Sequence, residues 1–214
     1  MFDDLSEWKH LLYVIIGAFI GRLLYDNYYE KRHGQSSVYA KIQQGNPEDA
    51  WTAREVIPDG KAGTIATLSV MRAIVNRDSN DPYIRKTAEQ IVKGCRGHDF
   101  LCEIRALFEF VRDRITYRRD PLTSEYVQDT RRTLESGVGD CDCKVVALCS
   151  LLQALGHKTR FIVIGNRPDD FTHVYCAVMT REHGWLPLDP TNERAPVGWE
   201  AQAPVKSAFP VWVH

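Results

Sequence analysis

The chain has 214 residues, of which 44% are hydrophobic and 26% are charged, and its formal net charge is -1. These values are ordinary for a globular protein, and the length allows one domain with a sizeable core and an extension. A net charge near zero gives no general attraction to nucleic acid, so we predict no nucleic-acid partner.

The six cysteines lack the dense, regular spacing of a small secreted protein. Several lie within apolar patterns, where a free cysteine behaves as a small hydrophobic residue. We therefore expect free thiols in a reducing compartment. Cys95 and Cys102 flank a turn and could pair under oxidation, but the free state is favoured. The six are Cys95, Cys102, Cys141, Cys143, Cys149 and Cys176.

The N-terminal segment, residues 1–30, contains an apolar run from Leu11 to Tyr25 that only Arg22 interrupts. A bilayer-spanning helix needs about 20 apolar residues, so this run is a marginal span that flanking Trp8 and snorkelling by Arg22 would extend. Its acidic start argues against a cleaved signal peptide. We expect a membrane anchor; a helix buried against a partner protein and an internal core helix are the alternatives. Residues 31–60 are polar and predict a linker.

Residues 61–200 carry the pattern of a folded domain. Apolar spacing predicts a helix over 64–75, a second that begins near Pro82 and is broken at Gly94, and a third that Asp99 caps and that runs to Ile115. A further helix is predicted over 141–155, with Gly156 at its C-terminal end.

After Gly156 the apolar period changes from helical to extended. Residues 160–164, 173–178 and 185–188 predict three antiparallel strands joined by short turns. Helices followed by a sheet indicate an α+β domain, and we expect residues 201–214 to form a C-terminal tail.

Cys141 stands where the glycine-containing loop 137–139 meets the helix over 141–155. A thiolate is the reactive form of cysteine, and a helix N-terminus favours it, so we expect a lowered thiol pKa and a backbone N–H available to an oxyanion. The alternative is a small buried residue. A zinc site of Cys141, Cys143 and His173 does not fit the usual Cys-x2-4-Cys spacing, so we predict no metal and no cofactor.

His173 begins one predicted strand and Asp189 ends the next. His173 could take the proton of the Cys141 thiol, and Asp189 could accept the other ring N–H of His173. Taken singly, a hydrogen-bonded, half-buried histidine explains His173 equally well, and a turn-forming aspartate explains Asp189 better than a catalytic role does. His157 and His183 lie in turns and are weaker base candidates. Together, in this order, Cys141, His173 and Asp189 indicate a catalytic triad.

These residues resemble the transglutaminase-like cysteine enzymes, which share a Gly-x-Gly-Asp-Cys helix start, a strand beginning His-Val, and a strand end Gly-Trp-x-x-Leu-Asp-Pro-Thr. The chain has these at residues 137–141, 173–174 and 184–191. The resemblance covers residues 64–191 and implies a papain-like α+β core. The stretch from Asp120 to Asp142 is especially similar to versions in tailed bacteriophages and their prophages.

The resemblance also implies a side-chain donor for the oxyanion from the segment before the nucleophile, for which Gln128 and Tyr117 are candidates. One departure concerns Cys143, which stands where such sequences often have a second Asp, and which therefore places another thiol beside the first. A second departure is the N-terminal apolar segment, which is no part of the family domain.

The implied activity is attack on a peptide or carboxamide carbonyl through a thioester acyl-enzyme. We expect hydrolysis rather than amine transfer, because bacterial and phage relatives look more like proteases or amidases. Cell-wall peptides or virion proteins are the expected substrates, and a membrane or virion the expected location. The alternative function is a virion or membrane-associated structural protein whose transglutaminase-like fold is idle.

Overall fold

The computed structural model of the chain describes residues 52–55, 60–119 and 125–211. The predicted apolar segment over 1–30 lies outside the described residues, as does most of the predicted linker over 31–60. Within that linker, Thr52–Glu55 form a short strand, β1. In the described part of the chain, no helix has the length and apolar character to cross a membrane.

Five helices are described, and they include each helix that the apolar spacing predicts. Four of the five begin at an aspartate that accepts a backbone N–H of the first turn: Asp81, Asp99, Asp129 and Asp140. Such caps satisfy donors that have no partner within the helix. The helices are α1 (Gly60–Asp78), α2 (Pro82–Ile91), α3 (Phe100–Arg114), α4 (Thr130–Ser136) and α5 (Cys141–Ala154).

Four strands form one antiparallel sheet after α5. The three predicted strands are confirmed and are longer than the apolar runs suggested, and the sheet order is β7-β6-β5-β8. Residues 201–214 were expected to be a tail, but they contribute the fourth strand, which pairs with β5. These strands are β5 (Thr159–Arg167), β6 (Asp170–Thr180), β7 (Gly184–Leu188) and β8 (Val205–Pro210).

Two short pairings precede α5 in the chain. β1 pairs antiparallel with β3 (Glu125–Gln128), and β2 (Thr116–Tyr117) pairs in parallel with β4 (Val138–Gly139). The second pairing sets Tyr117 opposite Gly139, two residues before Cys141. It therefore joins the end of α3 to the loop that leads into α5.

Helix α5 lies at the centre of the domain and packs against all four other helices and strand β6. Its residues from Cys143 to Leu152 are buried without interruption, because neighbours cover the helix on every side. The inward side chains of β6 face this helix through Val174, Cys176 and Val178. Because α5 and β6 pack against each other, the first turn of α5 and the N-terminal half of β6 lie on neighbouring elements.

The opposite face of the sheet has a smaller core of its own, formed by Ile162, Ile164, Tyr175 and Ala177. The chain between β7 and β8 covers it, since Ala201 and Ala203 pack there. The buried Tyr175 hydroxyl donates a hydrogen bond to Oε1 of Glu200 over 2.6 Å. This contact satisfies a polar group that burial would otherwise leave unpaired.

Cys95 and Cys102 form a disulfide, contrary to the expectation of free thiols at these positions. The 3-10 turn Val92–Gly94 and the cap of α3 bring the two residues together, with their Cα atoms 5.7 Å apart. That separation is within the usual range for a disulfide. The other four cysteines, all within the described residues, are not disulfide-bonded.

Candidate active site

The loop between α4 and α5 positions Cys141. Gly137 ends α4 in the left-handed region at φ 64°, which suits glycine, and its N–H donates to the carbonyl of Thr133. A Cβ added to Gly139 would lie 2.7 Å from Cβ of Cys143, so a side chain at this position does not fit. These two glycines let the loop pass closely under the first turn of α5.

Asp140 caps α5 by accepting the N–H of Cys143 over 3.0 Å. Cys141 is therefore the first helical residue, and its own N–H has no acceptor within the helix. This placement agrees with the sequence-based expectation. Asp140 itself was not singled out there, although aspartate before a helix is a recognised capping signal.

The Cys141 thiol is not activated by its surroundings. Burial raises its pKa above the ordinary value, and the carboxylates of Asp142 and Asp140 raise it further. Sγ of Cys141 donates to Oδ1 of Asp142 over 3.4 Å, which also favours the neutral thiol. The expectation that the helix N-terminus lowers this pKa is wrong, because desolvation and two negative neighbours outweigh the helix dipole.

His173 and Asp189 are paired. Nε2 of His173 lies 2.9 Å from Oδ2 of Asp189. The pairing of β6 with β7 ends at Cys176 and Leu188, so Asp189 continues past the last paired residue toward the start of β6. The His173 side chain keeps 23% of its surface exposed, whereas that of Asp189 keeps 2%.

The Asp189 carboxylate is held in its charged form. Burial opposes the charge, but hydrogen bonds from His173 and Thr191 outweigh that effect and keep the pKa of Asp189 below its ordinary value. Thr191 donates to Oδ1 of Asp189 from both its backbone N–H and its hydroxyl. Thr191 was not singled out from the sequence, where its one signal is its place in the Asp-Pro-Thr turn.

The three predicted residues are thus not joined into one hydrogen-bonded chain. His173 bonds to Asp189 and the Cys141 sulfur bonds to Asp142, while the described contacts include no hydrogen bond between Cys141 and His173. A hydrogen bond between base and nucleophile is often loose in a free enzyme and tightens when substrate binds.

Tyr117 lies on the strand that runs beside the glycine loop. Burial raises the pKa of its phenol, and electrostatic interactions with Cys141 and Asp140 raise it further, which places the phenol within electrostatic range of both. Its side chain remains 40% exposed. Tyr117 therefore keeps a protonated hydroxyl near the first turn of α5.

Gln128 and Cys143 are in contact on the inner side of that turn. The Gln128 N–H donates to Sγ of Cys143 over 3.4 Å, and Oε1 of Gln128 is buried with no hydrogen-bond partner among the described residues. Cys143 is 1% exposed, and burial raises its thiol pKa, as do nearby carboxylates led by that of Asp140. The second thiol is therefore enclosed in the protein and is not presented to a substrate.

The two weaker base candidates have other surroundings. Nε2 of His157 lies 3.0 Å from Oε2 of Glu103, and burial lowers the pKa of His157. Phe100 packs edge-on against the same ring. His183 is exposed in a turn, 3.8 Å from Oε2 of Glu182. Within the described ranges, no three His, Cys, Asp or Glu side chains are grouped in a way that could hold a metal ion.

A buried lysine lies one turn below Cys141 and was not singled out from the sequence. Nζ of Lys144 donates to the carbonyls of Ile115 and Arg112 over 2.6 and 3.1 Å and so closes the C-terminal end of α3. Burial lowers its pKa to about 8, against the opposing effect of carboxylates that include Glu193 and Asp113. The side chain fixes α3 to the helix that carries Cys141.

Comparison with known structures finds several similar chains of low sequence identity. A candidate cysteine protease from Cytophaga hutchinsonii is 16% identical, with 60% of this chain and 46% of that chain covered and a TM-score of 0.41. A candidate protease from Parabacteroides distasonis is 11% identical, with 61% and 27% covered and a TM-score of 0.47. LapG of Legionella pneumophila is 15% identical, with 67% and 87% covered and a TM-score of 0.42.

The chain thus spans less than half of the first two of these proteins. Comparison with curated proteins found no significant sequence match. A model of the transglutaminase-like superfamily matches residues 85–190, a range that contains Cys141, His173 and Asp189. Residues 85–190 of the chain therefore match the transglutaminase-like superfamily.

Proposed function

We propose that this domain is a cysteine-dependent hydrolase that attacks peptide or carboxamide bonds, with Cys141 as nucleophile, His173 as base and Asp189 as the residue that orients the base. The observation that carries the proposal is the 2.9 Å contact between His173 Nε2 and Asp189 Oδ2. It occupies one ring nitrogen with a buried carboxylate and leaves Nδ1 to exchange a proton with a thiol.

The reaction begins with a neutral thiol, in keeping with the raised pKa of Cys141. As Sγ attacks the carbonyl carbon, its proton passes to Nδ1 of His173, and Asp189 stabilises the resulting imidazolium. The tetrahedral intermediate then expels an amine or ammonia, which takes the proton from His173. A thioester on Cys141 remains.

Water then attacks the thioester, His173 removes its proton, and the acid product leaves as the Cys141 thiol is restored. A primary amine at the same position would give transfer in place of hydrolysis. The negative oxygen of each tetrahedral intermediate needs donors. The Cys141 N–H is one, and the Tyr117 hydroxyl and the Gln128 side chain are the candidates for another.

The proposal includes a peptide or protein substrate, with a cell-wall peptide or a virion protein as the preferred kinds, and an origin in a bacteriophage or prophage. It also includes attachment to a membrane or to a partner protein through Leu11 to Tyr25, with a membrane or virion as the location. The support for these parts is the sequence resemblance and the apolar N-terminal run.

The test uses the full chain with unfolded, glutamine-rich protein as substrate. Mass spectrometry detects cleaved peptides and deamidated side chains, and hydroxylamine traps the thioester as a hydroxamate. We expect Cys141→Ala and His173→Ala to abolish all three products, and Asp189→Asn to reduce turnover by about a hundredfold or more. Cys143→Ala is the matched control and should retain turnover.

A fluorescent primary amine added to the same reaction distinguishes hydrolysis from transfer. Hydrolysis predicts little incorporation of the amine, whereas incorporation in place of deamidation would make the protein a transferase. Turnover that persists in Cys141→Ala would refute the mechanism. Absence of every product in the wild-type chain would favour the alternative, a structural protein with an idle site.

A further inference from the structure

Thr191 makes two hydrogen bonds to the residue that pairs with His173, and it lies one position beyond the region matched by the family model. We propose that Thr191 is a positioning residue: its hydroxyl fixes the Asp189 carboxylate and thereby selects the tautomer of His173. This inference rests on the function proposed above, because it assigns a role within the same site.

The two oxygens of Asp189 have separate partners. Oδ1 accepts the Thr191 N–H over 3.0 Å and the Thr191 hydroxyl over 2.6 Å. Oδ2 lies 2.9 Å from Nε2 of His173. Because a carboxylate is planar, two donors that hold Oδ1 also set the direction in which Oδ2 points. Thr191 therefore aims the oxygen that meets His173.

Few other groups near Asp189 could donate a hydrogen bond to its carboxylate in place of the Thr191 hydroxyl. Asp189 is 1% exposed, so bulk water has little access to its oxygens. The intervening residue, Pro190, has no N–H to donate. Among the described residues, the hydrogen bonds on Oδ1 come from Thr191 alone. Loss of the hydroxyl would leave this oxygen with the backbone N–H as its remaining donor.

The direction of Oδ2 matters because neutral imidazole carries its proton on one nitrogen only. A carboxylate oxygen fixed near Nε2 keeps the proton there, so that Nδ1 presents a lone pair that can receive the Cys141 proton. If the carboxylate could rotate, the tautomer with the proton on Nδ1 would become populated. That tautomer cannot act as a base toward the thiol.

A purely structural role is the competing explanation, since Asp-Pro-Thr closes a turn at the end of β7. The bond from the Thr191 N–H to Oδ1 is the one that makes such a turn, and it survives any substitution of the side chain. The hydroxyl bond can therefore be tested separately. Thr191→Ser keeps the hydroxyl, and Thr191→Val keeps the shape without it.

The first measurement is the tautomer of His173, read from the ring nitrogen shifts of the full chain labelled with 15N and assigned with a His173→Gln variant. We expect the Nε2–H tautomer in the wild type and in Thr191→Ser, and a mixture of both tautomers in Thr191→Val. An unchanged tautomer in Thr191→Val, with only a lower melting temperature, would overturn the inference.

The second measurement is turnover of the same glutamine-rich substrate. Loss of a hydrogen bond to a charged group should lower kcat of Thr191→Val by about tenfold or more, and Thr191→Ser should restore it. Equal kcat in the wild type and in Thr191→Val would overturn the inference and leave the proposed function intact. If neither the wild type nor any variant turns over the substrate, the proposed function is refuted, and the tautomer measurement still decides the role of Thr191.

Discussion

The sulfur atoms of Cys149 and Cys176 lie 3.0 Å apart in the core of the domain. Cys149 is on α5, the helix that begins with Cys141, and Cys176 is on β6, the strand that carries His173. The Cys149 thiol donates to the Cys176 sulfur, and burial raises the pKa of Cys176, which keeps it protonated. This contact therefore joins the two elements that hold the proposed nucleophile and base.

We predict that Cys149→Ala and Cys176→Ala each lower the free energy of unfolding by about 1–2 kcal/mol, because each removes a buried sulfur and leaves a small void. The double variant should lose less than the sum, by about 0.5 kcal/mol or more, since one contact cannot be lost twice. Urea denaturation of the four proteins measures this difference. Simple additivity would show that the two thiols do not interact.

The raised pKa of Cys141 predicts slow alkylation of the free protein at neutral pH. An ordinary thiol ionises at about pH 8–9, so its labelling rate levels off above that range. The rate of iodoacetamide labelling at Cys141 should instead keep rising as the pH increases further. Asp142→Asn should reach any given rate at a lower pH, because it removes a carboxylate that raises this pKa. Peptide mass spectrometry follows the reaction.

The exposed Asp169 offers a matched control for the loss of one carboxylate. Asp169→Asn should follow the wild-type labelling curve. A labelling rate that levels off below pH 7 in the wild type would mean that Cys141 is already a thiolate and would contradict the neutral-thiol mechanism.

The lowered pKa of Lys144 predicts that the free energy of unfolding changes with pH in the alkaline range. Its pKa is about 8 in the folded protein, below the ordinary value of 10.5. Between these values the unfolded chain binds more protons than the folded one, so this residue adds stability as the pH rises. The free energy of unfolding of the wild type, relative to Lys144→Met, should therefore increase from pH 8 to pH 10.

Lys144→Met also removes the two hydrogen bonds that close the end of α3. Chemical denaturation at several pH values gives the required comparison. Lys93→Met, at an exposed lysine, controls for the loss of one positive charge. If the wild type does not gain stability relative to Lys144→Met over this range, the folded pKa of Lys144 is not lowered.

Gly139→Ala should destabilise the domain by about 1–3 kcal/mol, because the new Cβ would meet Cβ of Cys143 at 2.7 Å and the first turn of α5 would have to move. Gly94→Ala is the control, since a Cβ at that position meets no atom within 4 Å. Its free energy of unfolding should stay within about 0.5 kcal/mol of the wild type. Equal stabilities in the two variants would contradict the close approach at Gly139.

Local patterns in the sequence were sufficient for most of the secondary structure. Pro82 and Asp99 marked helix starts because capping depends on residues within one turn, and the change of apolar period marked β5, β6 and β7. β8 was missed because its backbone partner, β5, is distant in the chain, and its mixed burial leaves no clear alternation. The disulfide was missed for a related reason, since spacing alone does not fix the distance between two cysteines.

The sequence by itself identified Cys141 at the start of α5, His173 in β6 and Asp189 directly after β7, because each belongs to a short motif. Only the tertiary structure decided whether the side chains of these residues are ionised and which hydrogen bonds they make. Burial and the carboxylates of Asp140 and Asp142 keep Cys141 neutral, and the pairing of β6 with β7 brings His173 to Asp189. Ionisation and hydrogen bonding depend on distance in space and exclusion of water, and neither can be read from positions along a chain.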